Sequence, residues 1–396
     1  MKRFALIVLL VLFAPFAHLF GAEGVASKDE GLRISLLTCS EGNEDVAAAF
    51  GHSAIRVVDP ANKRDIVFNY GTYNFYEPGF LLKFLRGDLN YLLSVSDFKR
   101  FVGSYTKAGR GIVEREFNLT SEQRVKLYDF LLTNARPENR EYLYDFLLDN
   151  CATRIRDIFN TEEFVYEDSD TDLTYRDRLA ELINGKPWLK FGTDLILGAR
   201  VDAEITAQQE MFLPFLLERN LSQYKIAESG EGLLATPEVI LAKRDESRSV
   251  VGKIARLLIT PLALFMVLLI GYSLTISLIK DRQRFHKVFS NCFYVLLGIA
   301  SLVLLFLWFG TNHIWTKANW NLLWLNPLFL VLPFLKAGRF KNVLINILIL
   351  CVVVCLVGGV LIPQQFNIAF YPIFVLEIFL MLPAVMASKR NKYLKR

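Results

Sequence analysis

Apolar and polar residues are distributed unevenly along the chain, and the pattern changes character near residue 257. Residues 4–20 (FALIVLLVLFAPFAHLF) form one apolar run behind Lys2-Arg3, closed by Gly21-Ala22 ahead of a polar segment. That layout predicts a secretory signal over 1–22, with an uncleaved anchor as the alternative because bulky Phe20 occupies the −3 position. Residues 23–256 are polar and mixed, with no apolar run long enough to cross a bilayer, as expected of an exported domain. Beyond them, five apolar runs predict spans at 257–279, 288–309, 321–335, 342–362 and 367–387. The third is short, consistent with a tilted or partly re-entrant segment.

Within the exported part, LRISLLTC (32–39) reads as a strand and DVAAAF (45–50) as a short helical stretch. GHSAIRVVDP (51–60) and DIVFNYGTY (65–73) predict a β-hairpin around an Asp-Pro turn, and GIVEREFNL (111–119) another strand. Residues 80–86 and 94–104 are ambiguous. Thr120-Ser121-Glu122-Gln123 has the form of a capping box opening a helix over 121–134. Asp149-Asn150 can cap a helix starting at Cys151, and 172–240 looks mainly helical with Gly and Pro breaks. The expected class is therefore an α+β exported domain, 23–256, followed by an α-helical membrane domain of five spans, 257–396.

Charge orients the membrane part. The connectors 280–287 and 336–341 and the tail 388–396 carry twelve Lys/Arg against one Asp, whereas 310–320 and 363–366 share a single Lys. The positive-inside rule puts the basic segments in the cytoplasm and residues 23–256 outside. The 396-residue chain is 53% hydrophobic with a net charge of +5, but residues 23–279 alone carry −8 and the cytoplasmic segments +11. The overall basicity is topological and gives no support for nucleic-acid binding.

Of four histidines and five cysteines, His52, His313, Cys39 and Cys151 fall on the outer face and outside the spans. Two exported cysteines suit a structural disulfide. The Asn150-Cys151-Ala152-Thr153-Arg154 context supports a different role, since a helix N-terminus favours a thiolate and can hold an oxyanion. Pairing Val58 near Asp65 across the hairpin brings His52 close to Asn69, Tyr70 or Gly71, and Asn69 can orient the imidazole. Cys151, His52 and Asn69 thus make a candidate catalytic set of papain-like type, permuted so that His precedes Cys. Asn150, Tyr70 and Arg154 are candidates for substrate contact; Arg154 and Arg156 suit either a phosphate or ion pairs with Asp149 and Asp157. The aromatic 310–325 loop, with His313, Asn319 and Asn321, reads as an interfacial belt or as a gate over Cys151. Tyr73, Arg110 and Tyr144 are further, unranked candidates. Glu377, a carboxylate inside a span, marks a functional group or a hydrogen bond between spans. No cluster has metal-ligand spacing.

The stretches LLTCSEGNEDVAAAFGHSAIRVVDP, DIVFNYGTYNF, FNLTSEQ, YLYDFLLDNCATRIRD and HIWTKANWNLLWLNP resemble the Lnb family, lipoprotein N-acyltransferases of Bacteroides and relatives. Ser40-Glu41-Gly42 departs from that pattern where a Pro is expected before the Gly. A second similarity is to permuted papain-like acyltransferases of the lecithin:retinol type. The resemblance implies a bacterial inner-membrane enzyme with a periplasmic catalytic domain. It would pass an acyl chain from a phospholipid donor, through a Cys151 thioester, to the α-amine of diacylated lipoproteins, without cofactor or metal. A papain-like cysteine hydrolase of cell-envelope peptides or lipids is the alternative enzyme, and a membrane assembly factor with a Cys39–Cys151 disulfide the non-enzymatic one.

Overall fold

The structure is a computed structural model that describes residues 31–244, 259–358 and 362–393. The signal expected over 1–22 and the start of the first span lie outside the described residues. The N-terminal part is built on a seven-stranded sheet, every neighbouring pair antiparallel. Its strands are β1 Arg33–Cys39, β2 His52–Asp59, β3 Arg64–Thr72, β4 Asn90–Asp97, β5 Ile112–Glu116 and β6 Glu141–Leu143, joined by β11 Glu238–Leu241. The order is β11-β5-β1-β2-β3-β4-β6. Between β6 and β11 in the chain lie two small hairpin pairs, β7 Phe164–Val165 with β10 Lys225–Ile226 and β8 Asp170–Thr174 with β9 Glu204–Thr206.

The helices are α1 Phe80–Arg86, α2 Phe98–Ala108, α3 Ser121–Asn134, α4 Cys151–Ile158, α5 Tyr175–Leu182, α6 Pro187–Ile196 and α7 Pro214–Leu221. Helices α3, α4 and α7 cover the sheet face that carries Ile34, Leu36, Ile55, Val57, Phe68 and Tyr70. Helix α2 covers the other face through Phe101 against Leu37, Ala54 and Val67. Because both faces are packed, β1 buries consecutive Leu36 and Leu37 completely, so its sequence shows an apolar run more than an alternation. The hairpin adopts the expected register, Val58 opposite Asp65, and α3 opens with Thr120 and Gln123 in a reciprocal capping box.

Residues 172–240 carry helices α5, α6 and α7, as expected, but also the short strands β9 and β10, and they lead into β11, which completes the large sheet. The third apolar run is no continuous α-helix but a series of 3-10 turns, Trp320–Leu322, Pro327–Leu330 and Leu332–Phe334. Pro327 and Pro333 each remove a backbone N–H and clash with the preceding turn, which breaks an α-helix. Among the described residues three helices are long and apolar enough to cross a membrane, α8 Pro261–Leu278, α9 Arg282–Phe309 and α10 Arg339–Leu356. A fourth, α11 Tyr371–Tyr393, is apolar as far as Pro383.

The two parts are clamped together. Arg176 of α5, almost fully buried, bonds Asp194 at 3.2 Å and Asp202 at 2.7 Å. Asn367 just ahead of α11 donates to Asp194 at 2.7 Å. Main-chain bonds run from Gly198 N–H to the Trp315 carbonyl and from Ala199 N–H to that of Ala318.

Candidate active site

The ends of β1, β2 and β3 that carry Cys39, His52 and Asn69–Thr72 converge on the N-terminus of α4. Asn150 caps this helix: its Oδ1 accepts from the N–H groups of Ala152 and Thr153 at 2.7 and 3.0 Å. Its Nδ2 donates to the carbonyls of Phe146 and Phe212 at 2.6 and 3.0 Å. Two donors and one doubly used acceptor saturate the amide, so Asn150 positions the helix and has no group left for substrate. Since Asn150 engages two of the first-turn N–H groups, the N–H of Cys151 itself is the one facing its own sulfur.

Beyond the last paired residues, Ile55 opposite Phe68, His52 comes to lie beside Gly71 and Asn69 of β3. Asn69 Oδ1 accepts from His52 Nε2 at 2.6 Å, which fixes the proton on Nε2 and turns Nδ1 toward the Cys151 thiol. Tyr70, one residue along, points to the opposite face, where it is fully buried edge-on to Tyr142. Gly71 has φ of +90°, and a Cβ there would stand 3.8 Å from Cys151 Cβ and from His52 Cε1. Bare backbone therefore borders the Cys151 and His52 side chains.

Burial alone would raise the thiol of Cys151, but the His52 charge, the His52 hydrogen bond and the N–H groups of Ser53 and Cys151 hold it below the ordinary thiol value. His52 moves the other way: burial opposes its charge, and the Cys151 thiolate with the bond to Asn69 outweighs that and raises it. Each shift favours the charged form of its group, thiolate at Cys151 and imidazolium at His52. Cys39 is the counter-case: facing His52 across β1 and β2, it is pushed up to about 12 by burial. Both thiols are free, which removes the Cys39–Cys151 disulfide.

The remaining candidates divide. Arg154 forks onto Asp149 at 2.5 and 2.6 Å and lies 3.9 Å over the Tyr142 ring, the ion-pair role and not the phosphate one. Arg156 pairs with Asp157. Asn319 and Asn321 donate to the carbonyls of Asp194, Leu195 and Ile196, so both belong to the clamp and are buried away from Cys151. His313 packs on Gly87 and faces the Phe84 carbonyl at 3.2 Å. Glu377 has no hydrogen-bond partner among the described residues, so the expected bond between spans is not formed there. Sequence reasoning could not rank Arg110: its Nε donates to the Ser40 carbonyl at 2.7 Å, its Nη2 is buried without a partner, and it lines a cleft of about 280 Å³ with Asn69, Tyr105 and Glu44. A second cavity of about 540 Å³, apolar and lined by Tyr70, Leu127, Phe130 and Phe159, lies on the α3–α4 side.

Two family descriptions match this chain: the Lnb N-terminal periplasmic domain over residues 26–179 and the Lnb transmembrane domain over 253–392. The chain belongs to the Lnb family. Membership makes it a multi-pass membrane protein with a periplasmic domain, in lipoprotein processing. The periplasmic match spans the Cys151, His52 and Asn69 segments of this Lnb protein. No curated protein and no solved structure matches it.

Proposed function

We propose that this Lnb protein is an apolipoprotein N-acyltransferase whose nucleophile is Cys151, with His52 as acid and base and Asn69 as its orienting partner, in a permuted papain-like arrangement. The observation that carries the reading is the Cys151–His52–Asn69 chain, with its lowered thiol and raised imidazole, in a domain fastened to a membrane part. The thiolate attacks the acyl carbonyl of a phospholipid, the ester C–O bond breaks, and the His52 imidazolium protonates the departing lysophospholipid oxygen. The Cys151 and Ser53 N–H groups, which face the thiolate, are the donors assigned to the developing oxyanion. In the second half, the α-amine of a diacylated lipoprotein attacks the thioester carbonyl and the C–S bond breaks. His52 takes the amine proton and Cys151 is regenerated. An amide replaces an ester, so neither metal nor cofactor enters the balance.

The proposed organisation is a signal over 1–22, a periplasmic catalytic domain over 23–256 and five spans over 257–396, in the bacterial inner membrane with a cytoplasmic C-terminus. Both substrates are lipids, and fixing the thiol at the leaflet makes the encounter local. Incubating the purified protein with a phospholipid bearing a radioactive acyl chain should give a hydroxylamine-sensitive label that Cys151→Ser abolishes and Cys39→Ser leaves intact. Wild-type protein that takes up no label would exclude an acyl-enzyme. Adding a diacylated lipopeptide should then move the label into an amide on the peptide, whereas release as free fatty acid alone identifies a hydrolase.

A further inference from the structure

Helix α1 is anomalous for a soluble surface. None of its seven residues is buried, and Leu81, Leu82, Phe84 and Leu85 are 66, 59, 49 and 42% exposed, with Phe75 at 64% beside them. A contiguous apolar patch of this kind marks a surface that meets something apolar. Its polar members, Lys83 and Arg86, pair with Glu77 and Asp88 at its two ends and leave the apolar face uninterrupted.

The depth of α1 is set by covalent and hydrogen-bond connectivity. Span α9 ends with Trp308 and Phe309 stacked on each other, aromatic residues of the kind that mark the membrane–water boundary. Three residues later, Asn312 N–H donates to the Arg86 carbonyl at 2.7 Å, and Asn312 Nδ2 bonds Asp88. Gly87, at φ of +75°, admits the His313 ring where a Cβ would come within 3.0 Å of Nδ1. The C-terminus of α1 therefore lies within about 10 Å of the end of a membrane span, the reach of three residues.

From α1 an aromatic stack leads inward. Phe80 stacks on Tyr73, Tyr73 lies 5.1 Å from Tyr91, and Tyr91 stacks on Tyr144 at 4.0 Å. Tyr144 and Cys151 border the same core cluster.

We propose that α1 is immersed in the outer leaflet of the bilayer and that the Tyr73–Tyr91–Tyr144 stack is the path by which one acyl chain of a phospholipid leaves the leaflet for Cys151. Immersion rests on the membrane placement alone; delivery rests on the acyl-transfer reading, and the two are tested separately. For immersion, p-benzoylphenylalanine is placed at Leu82 in the full-length protein, in nanodiscs of phosphatidylethanolamine with tritiated acyl chains. Irradiation should give a hydroxylamine-stable lipid adduct about tenfold above that from the same probe at Val165, which is equally exposed but lies beyond the C-terminal end of α4. Equal labelling at the two positions overturns immersion whether or not the protein transfers acyl groups. For delivery, Leu81→Asp with Leu82→Asp should raise KM for bilayer phospholipid about tenfold and leave acylation by water-soluble p-nitrophenyl butyrate unchanged. Equal losses with both donors overturn the path.

Discussion

At the scale of single residues, reactivity is decided by which charges surround each thiol. Burial is the largest influence on both Cys151 and Cys39, but only at Cys151 do the His52 imidazole and main-chain N–H groups together outweigh it. A thiolate exists above the folded thiol's midpoint and an imidazolium below that of His52, so a lowered thiol and a raised imidazole widen the pH range of the charged pair. Alkylation by iodoacetamide, followed by mass spectrometry across pH, should show Cys151 reacting with a midpoint below the ordinary 9.0 and Cys39 unmodified. In His52→Ala the opposing charge is gone and burial dominates, so the midpoint should rise; an unmoved midpoint excludes the ion pair. The Cys151 signal was legible in sequence because a cap residue directly precedes the thiol. Asn69 required the strand register, and Arg110 could be named but not ranked, because tertiary folding alone brings it to the cleft it shares with Asn69.

At the scale of elements, the most exacting contact is the crossing of residues 198–199 over 315–318. A Cβ at Gly198 would stand 2.0 Å from the Lys317 carbonyl oxygen, closer than any real contact, so Gly198→Ala must push the clamp apart. Thermal unfolding in detergent should show a loss of about 2 kcal/mol or more. Gly192→Ala, on α6 with open space around its Cβ, should be neutral or stabilising by about 0.5–1 kcal/mol. Equal effects from the two would show that the crossing does not join the parts. Elements with strong local signals, the β2–β3 hairpin and the Thr120 box, could be read in advance. The β9–β11 strands could not, since two to four residues carry no period. The 3-10 turns of the third apolar run could not be read from hydropathy, which does not register what Pro327 and Pro333 do to backbone hydrogen bonding.

At the scale of the whole molecule, charge and connectivity place an acidic domain against a lipid surface. The orientation predicts that, in a variant lacking the five native cysteines, Glu122→Cys takes an impermeant maleimide from outside intact spheroplasts. Gln283→Cys and Ala337→Cys, both exposed, should be labelled only after permeabilisation; labelling of all three from one side would refute the topology. The short run from Asn312 to Trp315 has a consequence for how wide the approach to Cys151 can open. Asn312 holds the end of α1, and Trp315 Nε1 bonds Asp145 at 2.8 Å, in the turn that leads to Cys151. Both flanks are moored to four successive residues, about 10 Å of chain. The aperture is thus gauged by covalent length, like the jaws of a calliper, and inserting one residue between His313 and Trp315 would reset it without touching Cys151, His52 or Asn69.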